Sequence, residues 1–324
     1  MLREKHYKRI VHEVEWNIMK GKYKVGDKLP SINSWRIKSG LSRSSVVLAM
    51  EELKSRGLVE AEQSVGFFVS STRVETIHRF LIVFNEFTSF KQDLYTSIVT
   101  SLGIGAEVDV VFHNYKREIM DMLLERSAGK YTVYVVMTGP FEDVEKQLRR
   151  LGGQVILVDH CADSLKGAFP SVTQDFALDT YDALVSGLPQ LRKYGEIVFI
   201  QNSPKEPPER YDGVQRFCKD YDFVCTSIKT MKDMPLRSGV VYLTPESREI
   251  VNIELAARKQ RLKAGVDYGL VAFNEEPMNE ILCGGLTTIS TDFDQMGKTV
   301  VDLVREKEVR TLRNPCRLIL RKSL

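Results

Sequence analysis

The run Gly26-Asp27-Lys28-Leu29-Pro30-Ser31, followed by Ser39-Gly40-Leu41-Ser42-Arg43-Ser44-Ser45-Val46 and closed by Gly66-Phe67-Phe68-Val69, decides the first part of the fold. It reads as a turn into a short helix, a glycine-containing turn, a second helix and a small β-hairpin. That order is a winged helix-turn-helix. Ser42 is a good N-cap, because its hydroxyl can accept one of the unpaired N–H groups at a helix start. Val46, Ala49, Met50 and Leu53 recur at helical spacing and form the expected buried stripe. Arg43, Ser44, Ser45 and Val47 then fall on the exposed first turn, with Leu48 also pointing away from the stripe. Arginine at such a position can read guanine or bind phosphate, and serine can serve either role.

Upstream, Tyr7, Ile10, Val14 and Ile18 share one face of an expected helix over residues 5–20, ended by Gly21. His6 and His12 lie on it six residues apart, off the spacing that aims two ligands at one metal. Lys22, Lys24 and Lys28 lead into the second helix. Charge agrees with this placement. Residues 1–75 hold 14 Lys/Arg against 9 Asp/Glu, whereas the remainder holds 32 against 34, so the chain's net +3 is concentrated at this end. A basic bias there suits a phosphate-facing surface.

The stretch resembles the GntR family of bacterial transcription regulators, in which a GDKLPS-type entry, an SR-[ST]-[ST]-V helix start and a glycine-bearing wing occur in this order. The resemblance implies that Lys28, Ser31, Asn33, Ser42, Arg43, Ser44, Ser45, Val47 and Gly66 face duplex operator DNA. Asn33 stands where many members carry a phosphate-contacting Arg, and Val47 where another basic residue is frequent. The wing reads Ser64-Val65-Gly66 in place of Gly-x-Gly. A homodimer on a palindromic operator is the expected assembly.

A polar stretch over residues 71–79 is the expected linker between a DNA-binding domain over 1–70 and a second domain over 80–324. From Phe80 onward, apolar runs alternate with amphipathic helical stretches. The clearest strands are Phe80–Phe84, Val108–Phe112, Val133–Val136, Val155–Val158, Ile197–Ile200, Val240–Leu243 and Leu270–Phe273. Helical stretches lie near 91–102, 116–128, 141–151, 177–193, 210–221, 246–262 and 293–306. Near-continuous apolar strands separated by helices predict parallel sheets covered on both faces, here as two α/β lobes.

This second part resembles the LacI-type effector domain, built like the periplasmic sugar-binding proteins. The likeness rests on Val155-Ile156-Leu157-Val158-Asp159, on Glu209-Arg210-Tyr211-Asp212-Gly213, and on Leu286-Thr287-Thr288-Ile289-Ser290-Thr291-Asp292-Phe293 with Met296-Gly297. Asn274 departs from the Asp that often ends the matching strand. The resemblance implies a small carbohydrate effector held between the lobes. Ligands of open α/β sheets gather beyond the carboxyl ends of the strands. Asp159, Asp175, Arg210 and Asn274, with Ser89, are the expected polar contacts, and Phe87, Phe90 and Phe293 the aromatic faces.

Enzyme chemistry finds little support. Gly103-Ile104-Gly105-Ala106 follows a helix and precedes a strand, the reverse of the dinucleotide-binding order. No GxxxxGK[ST], HExxH or GxSxG occurs, and His160 between Asp159 and Cys161 lacks an oriented nucleophile–base pair. The five cysteines lack CxxC spacing, so no disulfide framework or metal site is expected. No catalytic residue and no cofactor is implied. With 43% hydrophobic and 27% charged residues, and no apolar run long enough to span a bilayer, the chain is expected in the cytoplasm. Two alternatives stay open: a regulator answering to a non-sugar small molecule, and a GntR-headed pyridoxal-phosphate fusion, which a visible absorbance spectrum would reveal.

Overall fold

The computed structural model describes residues 4–62, 65–72, 79–103, 106–306 and 308–324, so His6 and the Ser64 position of the wing lie outside the described side chains. The chain divides into two compact units, Met1–His78 and Arg79–Leu324.

The first unit consists of α1 (Glu4–Met19), α2 (Ile32–Ser39), α3 (Arg43–Ser55) and the hairpin β1 (Val59–Glu62) and β2 (Gly66–Val69). Ile10, Val11, Val14 and Ile18 of α1 meet Trp35 of α2 and Val46, Ala49, Met50 and Leu53 of α3 in one buried cluster. The two expected caps form, with the Ser34 N–H donating to Ser31 Oγ at 3.1 Å and the Ser45 N–H donating to Ser42 Oγ at 3.2 Å. Gly40 takes φ 70°, the left-handed conformation that ends α2 and lets the chain turn sharply into α3. The entry run is more than a turn. Gly26 N–H donates to Val69 O, Leu29 N–H to Phe67 O and Val69 N–H to Asp27 O, so residues 26–29 lie along β2, with Lys28 bridged to Phe68.

The second unit begins with β3 (Arg79–Phe84), α4 (Ser89–Leu102), β4 (Glu107–Phe112), α5 (Arg117–Ser127), β5 (Val133–Val136), α6 (Glu145–Arg149), β6 (Gln154–Asp159) and β7 (Ser171–Thr173). The chain continues through α7 (Phe176–Ser186), α8 (Leu188–Leu191), β8 (Glu196–Ile200), α9 (Glu209–Tyr221), β9 (Val224–Ile228), β10 (Val240–Thr244), α10 (Ser247–Gln260) and β11 (Gly269–Phe273). It ends with β12 (Thr287–Thr291), α11 (Phe293–Glu306), β13 (Thr311–Arg313) and β14 (Cys316–Ile319). Two six-stranded sheets result, in the orders β13-β7-β6-β5-β3-β4 and β14-β12-β11-β10-β8-β9. All pairings are parallel except β12 with β14. Burial of β5, β10, β11 and β12 along their whole length is the mark of a sheet covered on both faces.

Expected and observed elements differ in places. The stretch 141–151 keeps only the five-residue α6, and 177–193 breaks at Gly187 into α7 and α8. Strands β7, β9, β12, β13 and β14 add to the expected strand set.

The chain crosses between lobes three times, at 174–175, 292 and 314–315. Asn314, 2% exposed, ties the crossings together. Its N–H donates to Thr173 O at 2.7 Å, and its Nδ2 donates to Thr291 Oγ1 at 2.9 Å and Asp292 O at 2.8 Å. Because of the second crossing, α11 packs on α4 in the first lobe, where Met296, Val300 and Val301 join Leu94 and Ile98. Gly297 permits that contact: a Cβ there would stand 2.5 Å from Ser97 Oγ.

Candidate functional site

In the first unit, α3 presents its first turn to solvent. Arg43 and Ser44 are exposed, Ser45 and Val47 half-buried, and Leu48 is 55% exposed. Ser42 Oγ lies 2.9 Å from the hydroxyls of both Ser44 and Ser45, so the cap and the surface of this turn are one hydroxyl cluster. Arg43 has no ion pair or hydrogen bond among the described residues, which leaves its five donors open to an external acceptor. Ser31 and Asn33 are exposed at the start of α2, and Asn33 Oδ1 accepts from Arg36 Nη1 at 3.3 Å. Lys28 is bridged to Phe68 of β2, and its Cε would lie 3.1 Å from a Cβ on Gly66. Lys28 and Gly66 therefore adjoin on the wing.

In the second unit, strand ends from both lobes converge. Asp159 ends β6 with φ 75° and Asn274 follows β11 with φ 62°, each turning its chain sharply at the carboxyl end of the strand. Gln174, on the first crossing, donates from Nε2 to Asp159 Oδ1. Arg210, 5% exposed near the start of α9, has its guanidinium 4.5 Å from the Phe273 ring centroid and 5.5 Å from that of Phe176. It pairs with Glu206. A cavity of about 10 Å³, the room of one water, touches Gln174, Phe176, Arg210, Phe273 and Asn274.

On the first-lobe side, Phe90 stacks on Phe293 with centroids 5.1 Å apart, and Phe293 belongs to that lobe's core. Phe87 is 73% exposed and meets Phe112 edge-on. Ser89 Oγ donates to Glu276 Oε1 of the other lobe at 2.6 Å. Asp175 stands at the start of α7. Its carboxylate caps α7 by accepting from Leu178 N–H, and it lies outside the Arg210 cavity.

Several charged residues here escaped the sequence reading. Lys205 reaches across the lobes, with Nζ 2.7 Å from Glu86 Oε2 and 5.2 Å from the Tyr115 ring centroid. Tyr115 OH also donates to Glu86, at 3.3 Å. Burial pushes the Glu206 carboxyl up, opposed by Arg210. Lys91, 4% exposed in the first turn of α4, has its ammonium pushed down by burial and up by Asp159, Glu86 and Glu206. His113 is fully buried; its Nε2 donates to Met137 O at 3.1 Å, and burial pulls its pKa down. The position of Glu86, Lys205 and Glu206 just past strand carboxyl ends was the available signal. Nearby, His160 stacks on Phe176, and burial pushes the Cys161 thiol up.

A winged helix-turn-helix joined to a two-lobed α/β unit of this topology defines a DNA-binding transcription regulator with a periplasmic-binding-protein-like second unit. Residues 6–69 match the family described as bacterial regulatory proteins, gntR family. The HTH-type transcriptional repressor YtrA of Bacillus subtilis (strain 168) is 26% identical over 113 residues, covering 35% of this chain and 82% of the relative. Among solved structures, a periplasmic binding protein/LacI transcriptional regulator from Alkaliphilus metalliredigens QYMF, complexed with D-xylulofuranose, superposes with TM-score 0.62 at 13% identity, covering 76% of this chain and 98% of its own. A LacI family regulator from Enterococcus faecalis V583 with bound ribose gives TM-score 0.61 at 17% identity, with 76% and 98% covered. The chain is thus a regulator with a GntR-type helix-turn-helix at its N-terminus and a second unit of LacI-type fold. Among the described residues, no helix is long and apolar enough to cross a membrane.

Proposed function

We propose that the chain is a cytoplasmic one-component repressor, acting as a homodimer without catalysis, that releases operator DNA when a small carbohydrate enters the cleft between its lobes. The observation that carries this reading is Arg210. A guanidinium packed between Phe176 and Phe273 and beside Asn274 offers fixed donors next to aromatic faces. Sugar recognition needs that combination, since hydroxyls take directed hydrogen bonds and the C–H face takes a ring. The sugars held by the structural neighbours support the same ligand class. On the DNA side, the unpaired Arg43 beside the Ser42, Ser44 and Ser45 hydroxyls supports major-groove and phosphate contact.

A thermal-shift screen with pentoses, hexoses and deoxyhexoses tests the cleft reading, followed by calorimetry of the best ligand on Arg210→Ala. Charge-assisted hydrogen bonds of this kind contribute about 1.5–3 kcal/mol each, so the variant should lose at least tenfold in affinity. Parental affinity in a folded Arg210→Ala protein would remove Arg210 from the site.

A further inference from the structure

Lys91 is a cleft group whose hydrogen-bonding demand the described residues leave open. Its side chain is only 4% exposed, and no acceptor among the described residues lies within hydrogen-bond distance of Nζ. Glu86 Oε1 is 4.0 Å away and is already served by Tyr115 OH, while Lys205 holds the other Glu86 oxygen. An ammonium with little access to water and no acceptor in the protein is costly, and Lys91 also stands at the positive end of the α4 dipole. The hydroxyl of Thr88, the residue before α4, is likewise buried and without a partner. Structural lysines avoid such positions; a ligand-binding lysine needs one.

The surrounding charge decides what the ligand can be. Lys91, Lys205 and Arg210 face Asp159, Glu86 and Glu206, three cations against three carboxylates. A fourth carboxylate, Glu246, lies close to Glu206 and accepts from Ser203 N–H. A phosphate or carboxylate entering here would add negative charge where carboxylates already match or outnumber cations, and like-charge contact is unfavourable. A hydroxyl answers both sides at once, accepting from the ammonium and donating to a carboxylate.

We propose that Lys91 is an effector-binding residue whose ammonium takes a hydroxyl oxygen of an uncharged polyol, and that the cleft discriminates against the same sugar carrying a phosphate or carboxylate. This rests on the interlobe cleft being the effector site. The test is calorimetry on the full chain with matched neutral sugars, their phosphates and the corresponding uronates, repeated on Lys91→Met and Asp159→Asn. A neutral sugar should bind, its phosphate and uronate should bind at least about tenfold more weakly, and Lys91→Met should lose roughly tenfold to a hundredfold. An acidic sugar binding more tightly than its neutral parent overturns the proposal. Parental affinity in Lys91→Met, with Asp159→Asn weakened, overturns it while leaving the cleft reading intact. If both variants bind a sugar normally, or no sugar binds, the cleft reading itself fails. Melting of the unliganded proteins gives an independent readout: Lys91→Met should melt at or above the parent temperature. A drop of several degrees would make Lys91 a structural partner of Glu86 and overturn the assignment.

Discussion

Arg43 is held by backbone and not by side-chain partners, so its removal should be felt in DNA binding and scarcely in stability. Arg43→Ala is expected to lose about 1–3 kcal/mol of operator affinity if the guanidinium is bidentate to guanine, with an unchanged melting temperature. Electrophoretic or fluorescence titration against operator and scrambled duplex measures this, and an equal loss on both would make Arg43 a phosphate contact. The position of Arg43 was legible because an N-cap and a helical stripe are local signals: Ser42 precedes Arg43 directly, and Val46 to Leu53 fix the buried face. Lys91 and Lys205 were not legible for the opposite reason. The surroundings of Lys91 include Asp159 and Glu206, brought to it by two distant loops, and the Lys205–Glu86 contact joins residues 119 apart in the chain. Nothing within a helical window of either lysine announces it.

Elements divide along the same line. Long apolar strands such as β3 and β6 stood out because burial on both sheet faces removes polar alternation from the sequence. The three-residue β7 and β13 and the four-residue β14 carry too few residues for any period, and Thr311-Leu312-Arg313 is largely exposed, so tertiary pairing alone defines them. The crossings they flank depend on Asn314. Removing its amide takes the donor from Thr291 Oγ1 and leaves Asp292 O with the Met296 N–H alone. Asn314→Ala should therefore destabilise the second unit by about 1–3 kcal/mol, read as a lowered urea midpoint with an unchanged slope. The wing gives a second expectation. Gly66 has φ 144°, and a side chain there would press on Lys28. Gly66→Val should weaken operator binding while the second unit still melts at the parental temperature. Unchanged DNA affinity in a folded variant would mean that the wing does not reach DNA.

The two-lobed fold also determines what a ligand could do to the whole molecule. Its lobes are joined by three crossings and, across the cleft, by Lys205–Glu86 and Ser89–Glu276, so a ligand that disturbs or replaces these bridges changes the relation of the lobes. In a dimer on a palindromic operator, half-sites stand at fixed multiples of a helical turn, and a misplacement of a few ångströms forfeits the contacts of one head. Coupling of about 1–3 kcal/mol is enough to change operator occupancy by one or two decades. We therefore expect saturating sugar to weaken operator binding by about fivefold to 150-fold, and operator DNA to weaken sugar binding by the same factor, as linkage requires. Glu86→Gln, which removes the charge of the Lys205 bridge and leaves one acceptor oxygen where two serve Lys205 and Tyr115, should change this coupling factor more than it changes DNA affinity without sugar. Operator titrations with and without ligand, on parent and variant, measure all these quantities. Tighter operator binding with ligand would reverse the sign and make the sugar a corepressor or activator. Equal affinities would show that the cleft is not coupled to the DNA-binding unit.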